Sequence, residues 1–148
     1  MENIIDKLNR EGLKKASLTK RIIAMSIDDI LISLIIVFAF SSSFETAKTY
    51  EQVLVLTNEL FGYIFAAYTL YHWIFITVYG KTVGKMIAKI RVIDIETLDN
   101  PSWMRSLVRS IMRNFDEMFF YLGMAYAIVN PLNRAIHDMV GKSVVVED

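Results

Sequence analysis

Cysteine is absent from the 148 residues, histidine and proline each occur only twice, and sixteen basic residues are balanced by sixteen acidic ones. The first absence excludes disulfides and every thiolate-based metal or redox centre, though it says little about compartment. Two histidines far apart in sequence do not make a metal site. No serine or lysine stands in a recognisably activated setting, so no nucleophilic enzyme, metal or cofactor is expected. Zero net charge removes bulk electrostatics as a guide to partners. With the basic residues placed beside apolar runs, it also argues against nucleic acid.

What the chain has in quantity is apolar sequence. It is 54% hydrophobic, its mean hydropathy is positive, and its length fits one domain. From Ile22 to Phe44 the only charges are Asp28 and Asp29. A run of that length is suited to crossing a bilayer. Carboxylates at such depth cost about 2.5–3.5 kcal/mol each at a helix centre and are tolerated where they face a bundle or a wet cavity. The two aspartates also interrupt any signal-peptide core, so this run is expected to remain in the protein. Leu60 to Gly80 is a second spanning segment, free of formal charge and rich in aromatics that exceed an interfacial belt. Met118 to Asn133 is a third apolar run of 16 residues, about 24 Å as a helix against a core of about 30 Å. It is expected to be re-entrant or tilted.

The expected fold is therefore an all-α integral membrane protein with two spanning helices, a third short apolar helix and a small two-stranded β element. An amphipathic segment (residues 1–16), with Ile4, Ile5 and Leu8 on one face, precedes a membrane domain (residues 17–148) and is expected to lie on the membrane surface. The strands are placed at Ile90–Glu96 and Lys142–Glu147. Both are rich in β-branched residues, and they are expected to pair because a lone strand leaves its backbone unsatisfied. Asn100 and Pro101 are the expected start of a helix on which Arg105, Arg109 and Arg113 recur every four residues. That basic stripe is assigned to anionic lipid headgroups. Gly80-Lys81-Thr82-Val83-Gly84-Lys85 is not a phosphate loop: three residues, not four, separate its glycines, and Met86 follows Lys85. It reads as a membrane exit. Lysine and arginine crowd the regions before the first span and between Lys81 and Arg113. The positive-inside rule then gives a multi-pass protein of the cell inner membrane with a cytoplasmic N-terminus. Strand pairing favours a C-terminus on the same side.

Arg21-Ile-Ile-Ala24-Met-Ser-Ile-Asp28 resembles the opening of the RDD family of membrane proteins. The run from Gly80 to Lys85 followed by Ile90-Arg91-Val92 is similar to that family's Gly-x-Thr-x-Gly-Lys and strand. Ile136-His137-Asp138 with Gly141-Lys142-Ser143-Val144-Val145 is similar to its closing pattern. Arg109 falls where the family often has an arginine. Ser143 departs from the usual threonine, and Asp29 is an acid beyond the signature. The resemblance implies a small polytopic protein, described broadly as a possible transporter or an accessory protein.

Arg21 and Asp28, seven apart, share a helix face. Two readings of them stand. In one, Asp28 binds a proton or cation, with Asp29, Asp138 and His72 as further ion or proton sites and Arg21, Arg109 and His137 tuning them. In the other, Arg21, Asp28 and Asp138 form a structural cluster. Transport of the cation/proton type is the first functional expectation; a membrane scaffold or assembly subunit is the alternative. Two spans enclose little volume, so a homo-oligomer is expected, with Gly80, Gly84 or the aromatic second span as contacts.

Overall fold

Ser17 sets the start of the first long helix: its side chain accepts the Lys20 amide at 3.3 Å. The computed structural model describes residues 4–119 and 122–148. In chain order the elements are α1 (Ile4–Arg10), α2 (Leu18–Ala39), α3 (Ser41–Thr46), α4 (Tyr50–Glu59), α5 (Phe61–Tyr79), α6 (Val83–Ile87), β1 (Ile90–Asp94), α7 (Trp103–Met118), α8 (Leu122–Val129), α9 (Ile136–Val140) and β2 (Ser143–Glu147). Helices α2 and α5, of 22 and 19 residues, are long and apolar enough to cross a membrane. The connector between them, polar in sequence, folds into α3 and α4. Thr49 and Gln52 cap α4 reciprocally, each side chain taking the other's backbone amide at 3.3 Å.

The long helices are inverted relative to those of a water-soluble protein. Helix α2 buries Arg21, Ala24 and Asp28 while Ile30, Leu34 and Phe38 are 62%, 65% and 84% exposed. Helix α7 does the same, hiding Ser106, Arg109, Ser110, Arg113, Asn114 and Asp116 and turning Trp103, Met104, Phe115 and Met118 outward. Polar-in, apolar-out packing suits hydrocarbon, where unsatisfied polar groups are costly and apolar surface is not. The arginine stripe therefore does not point away from the protein as its sequence pattern leads one to expect.

Helix α7 begins at Ser102, whose side chain accepts the Arg105 amide, two residues later than Asn100 led one to expect. Asn100 instead donates to the Val78 carbonyl at 3.2 Å. From there α7 runs antiparallel along α5. Trp73 donates to the Trp103 carbonyl at 2.9 Å at one end. At the other, Asn114 donates to Thr69 at 2.7 Å and to the Phe65 carbonyl at 3.1 Å, beside an edge-on Phe65–Phe115 pair. Helix α8 has eight residues, about 12 Å of rise, and α9 brings the chain back beside Arg109. Of the third apolar run, Leu122–Val129 is helical and too short to span a hydrocarbon core of about 30 Å; its Phe120 and Tyr121 lie outside the described residues.

The strands pair antiparallel, Ile90 opposite Glu147 and Asp94 opposite Ser143. The sheet sits at the end of the molecule where α2 begins and α5 ends. The N-terminal segment is stitched onto it: the Ala16 amide donates to Val145, and the Glu147 amide to Lys14. Leu8 packs with Ile93, Val144 and Val146, and Ile4 and Leu13 pack around them. The Leu8 side of α1 thus has a protein partner, while Ile5 on the same helix stays 38% exposed.

Two glycines fix the turn after α5. Gly80 closes that helix at φ 67°, a left-handed conformation that favours glycine. Gly84 is required for closeness: a Cβ there would overlap the Ala24 carbonyl and lie 2.9 Å from Asp28 Cγ. Both are buried within the chain and offer no surface to a second copy. Gly84→Ala should destabilise the protein by about 1–3 kcal/mol through overpacking against α2. Gly62→Ala, where nothing lies within 4 Å, should be neutral or slightly stabilising. Thermal unfolding in detergent followed by circular dichroism checks both, and equal losses would refute the close-packing argument.

Candidate functional site

Asp138 is fully buried at the start of α9 and accepts from three directions. Arg21 of α2 forms a charged hydrogen bond to Oδ2. Arg109 of α7 approaches Oδ1 through Nη2 at 2.6 Å and Nε at 3.1 Å. The Ala135 amide donates to Oδ2 at 3.0 Å. Arg21 also reaches the Asn133 carbonyl. One carboxylate therefore ties α2, α7 and α9. Burial alone would raise its pKa, but the charges of Arg21 and Arg109 outweigh it and hold the group well below the usual aspartate value.

Asp28, about one turn further along α2 than Ala24 and on the same buried face, forms a second node. It receives Tyr71 Oη at 2.7 Å, Thr82 Oγ1 at 2.6 Å and the Gly84 amide at 2.8 Å, with Lys85 Nζ at 3.9 Å. Tyr71 in turn accepts the Val83 amide at 3.1 Å. The glycine-flanked turn is thus a socket for the Asp28 carboxylate. Burial pulls Lys85 down to about 7 against the opposing pull of Asp28. Asp28 and Arg21 share a face, as their spacing predicts, but each takes a different partner.

A third node lies at the edge. Arg113 Nη2 is 3.0 Å from Asp29 of α2 and 2.8 Å from Glu117 one turn along α7. The two carboxylates keep side-chain exposures of 23% and 18%, against none for Asp28 and Asp138. Burial raises Glu117 to about 7, with Arg113 opposing. Beside it, Asp116 is bonded to His137 Nδ1. Burial pushes that imidazole down to about 4, outweighing the pull of Asp138 and Asp116, so it is neutral near pH 7 and its Nδ1–H donates.

Arg21, Asp28, Asp29, Asp138, Arg109 and His137 are gathered into one region, as the expectation of clustered charge requires. Arg109 and Arg113 are corrected in role. Both are buried and paired with carboxylates, so they do not serve lipid headgroups. Only Arg105, toward the end of the stripe nearest the sheet, is partly exposed, and it is committed to Asp94 and Glu96. His72 is fully buried, yet neither ring nitrogen has a hydrogen-bond partner among the described residues. It is not joined to Asp28 or Asp29. Lys85, Thr82, Tyr71, Asp116 and Glu117 are site residues that the sequence reading missed. The signal for Thr82 and Lys85 was the glycine-flanked motif itself. For Glu117 it was the i,i+4 spacing from Arg113.

With this geometry in view, comparison with known families gives one result: the model of the RDD family matches residues 15–142. No curated protein and no solved structure was found to match the chain.

Removing one partner from a buried ion pair leaves an uncompensated charge, at a cost of about 3–5 kcal/mol. Asp138→Asn should cost about that much near pH 7, because two guanidinium groups lose their shared acceptor. The folded-state pKa of Asp138 is depressed. Its stabilisation is therefore present above the ordinary aspartate pKa and is lost only as pH falls through the lower folded value. The difference between wild type and Asp138→Asn should then stay constant from pH 8 to 6. Unfolding curves at those pH values test this; a difference that vanishes within the range would contradict the pairing.

Proposed function

This chain belongs to the RDD family, and on that premise we propose that it is a small polytopic membrane protein with a transport-type role, exchanging a monovalent cation for a proton. One observation carries the reading. Asp29 and Glu117, on different helices, flank the single guanidinium of Arg113 at the partly exposed edge of the polar cluster. Two carboxylates and one cation form a site in which an added cation and an added proton compete for the same charge. Glu117, raised to about 7 by burial, changes protonation where such competition is useful. Asp28 and Asp138 are assigned a structural part, since carboxylates occupied by several donors offer a cation little. That saturation is also what favours the second reading, a membrane scaffold or assembly subunit in which the whole cluster is structural.

In this reading α2 and α5 cross the cell inner membrane, with the N-terminus, the sheet and the C-terminus together on the cytoplasmic side. The distribution of lysine and arginine supports that orientation, as does the pairing of β1 with β2. A pathway needs more wall than two spans supply, so the working form is a homo-oligomer.

Purified protein in vesicles with an imposed pH gradient should move a monovalent cation, with a pH midpoint near 7. Asp29→Asn and Glu117→Gln should each lower that flux at least about tenfold, as expected where a buried charge partner worth more than about 1.4 kcal/mol is removed, while remaining folded. Wild-type vesicles without flux would reject exchange and leave the scaffold reading. In a separate measurement, single cysteines at Thr46 and at Thr97 should be labelled from opposite faces of the membrane.

A further inference from the structure

Beside the Asp138 node lies a small, partly open pocket of about 20 Å³ lined by Arg21, Lys85, Arg109, Arg113, His137 and the apolar Met25, Ile90 and Met124. That exceeds the ~10–15 Å³ needed by one water. Among the described residues no carboxylate lines it. Each neighbouring acid is already engaged: Asp138 by Arg21 and Arg109, Asp28 by the turn around Gly84, Asp29 and Glu117 by Arg113, and Asp116 by His137. At Asp138 two guanidinium groups share one carboxylate, so donors outnumber acceptors on the side that faces the pocket.

Within this lining, Nη1 of Arg109 and Nη1 of Arg113 are buried and have no hydrogen-bond partner among the described residues. Both side chains are at least nine-tenths buried. Leaving one buried donor unmatched is costly, and more so for a charged group. Leaving two beside the same cavity points to an occupant. The chemistry of the lining identifies it. Arginine and lysine side chains carry donors only. Against four of them, the lining side chains offer as acceptors two thioethers, which are weak, and one imidazole nitrogen, Nε2 of His137, which lies against Asp138 at 3.5 Å. A water would accept from the arginines but find few acceptors for its own hydrogens. A monatomic anion only accepts, and so matches a lining made mainly of donors.

We propose that this cavity is a binding site for a single monatomic anion of the halide type, held by the spare guanidinium nitrogens of Arg109 and Arg113. The site shares Arg113 with the exchange site proposed above, but its lining includes neither Asp29 nor Glu117, so halide-dependent stability is read separately from cation flux. An anion there holds α7 against α2 and α6 and completes the polar interior.

The test uses the full chain in detergent, with chloride or bromide replaced by gluconate at constant ionic strength. Chloride and bromide should raise Tm saturably by a few degrees and gluconate should not. Arg109→Lys keeps the charge opposite Asp138 but loses the second nitrogen, and should shift the half-saturating chloride concentration upward by about tenfold or more, as loss of a charged hydrogen bond worth about 1.5–3 kcal/mol requires. Crystals grown in bromide should show an anomalous peak within hydrogen-bond reach of Arg109 and Arg113; this reading is independent of whether the variant folds. A halide-insensitive Tm together with no anomalous peak would overturn the proposal and identify the occupant as water.

Discussion

A carboxylate shared between two guanidinium groups from distant parts of the chain holds this molecule together. Asp138 takes Arg21 of α2 and Arg109 of α7, while its own helix start is fastened through the Ala135 amide. In hydrocarbon the apolar faces of these helices gain little by meeting one another, because lipid tails are equally apolar. Direction must then come from polar contacts, and this one is multivalent, charge-assisted and fully enclosed. A shift of α2 or α7 by one turn would strand a guanidinium without an acceptor. The ionic contact therefore specifies register as well as association.

The same logic explains the turn that follows α5. Gly80 bends the chain in a conformation open to glycine, and Gly84 lets the α6 backbone lie against α2. That approach puts the Gly84 amide and the Thr82 hydroxyl onto Asp28. An acid within an apolar helix is thus matched by backbone and hydroxyl donors as well as by a lysine. The buried polar faces and the exposed apolar faces of α2 and α7 are two aspects of one arrangement, in which their buried charged side chains find protein partners while many of their large apolar ones are left for the surroundings.

Much of the fold could be read from the sequence because it is written in local patterns. The two long apolar runs, the strands at Ile90 and Val144 and the charged positions Arg21, Asp28 and Asp138 all carry their signal within a few residues. Partnership does not. Nothing near Asp28 says that its cation is Lys85 and not Arg21, since that choice is made by Gly84 packing across 56 residues. The i,i+4 arginines form a stripe whatever the stripe faces, and only the carboxylates of α2 and α9 reveal that it turns inward. Leu8 likewise looks like a membrane-surface residue until the sheet supplies it with a partner. The glycine-flanked motif is visible in the sequence, but its threonine and second lysine acquire a partner only when Gly84 packs against α2.

Ribosomal order gives the Asp138 node a temporal meaning. Arg21 emerges 117 residues before the carboxylate that neutralises it, and Asp28 precedes the Gly84 amide by 56. The first helix is accordingly made before the groups that pair with its buried Arg21 and Asp28, and both contacts wait on segments far along the chain.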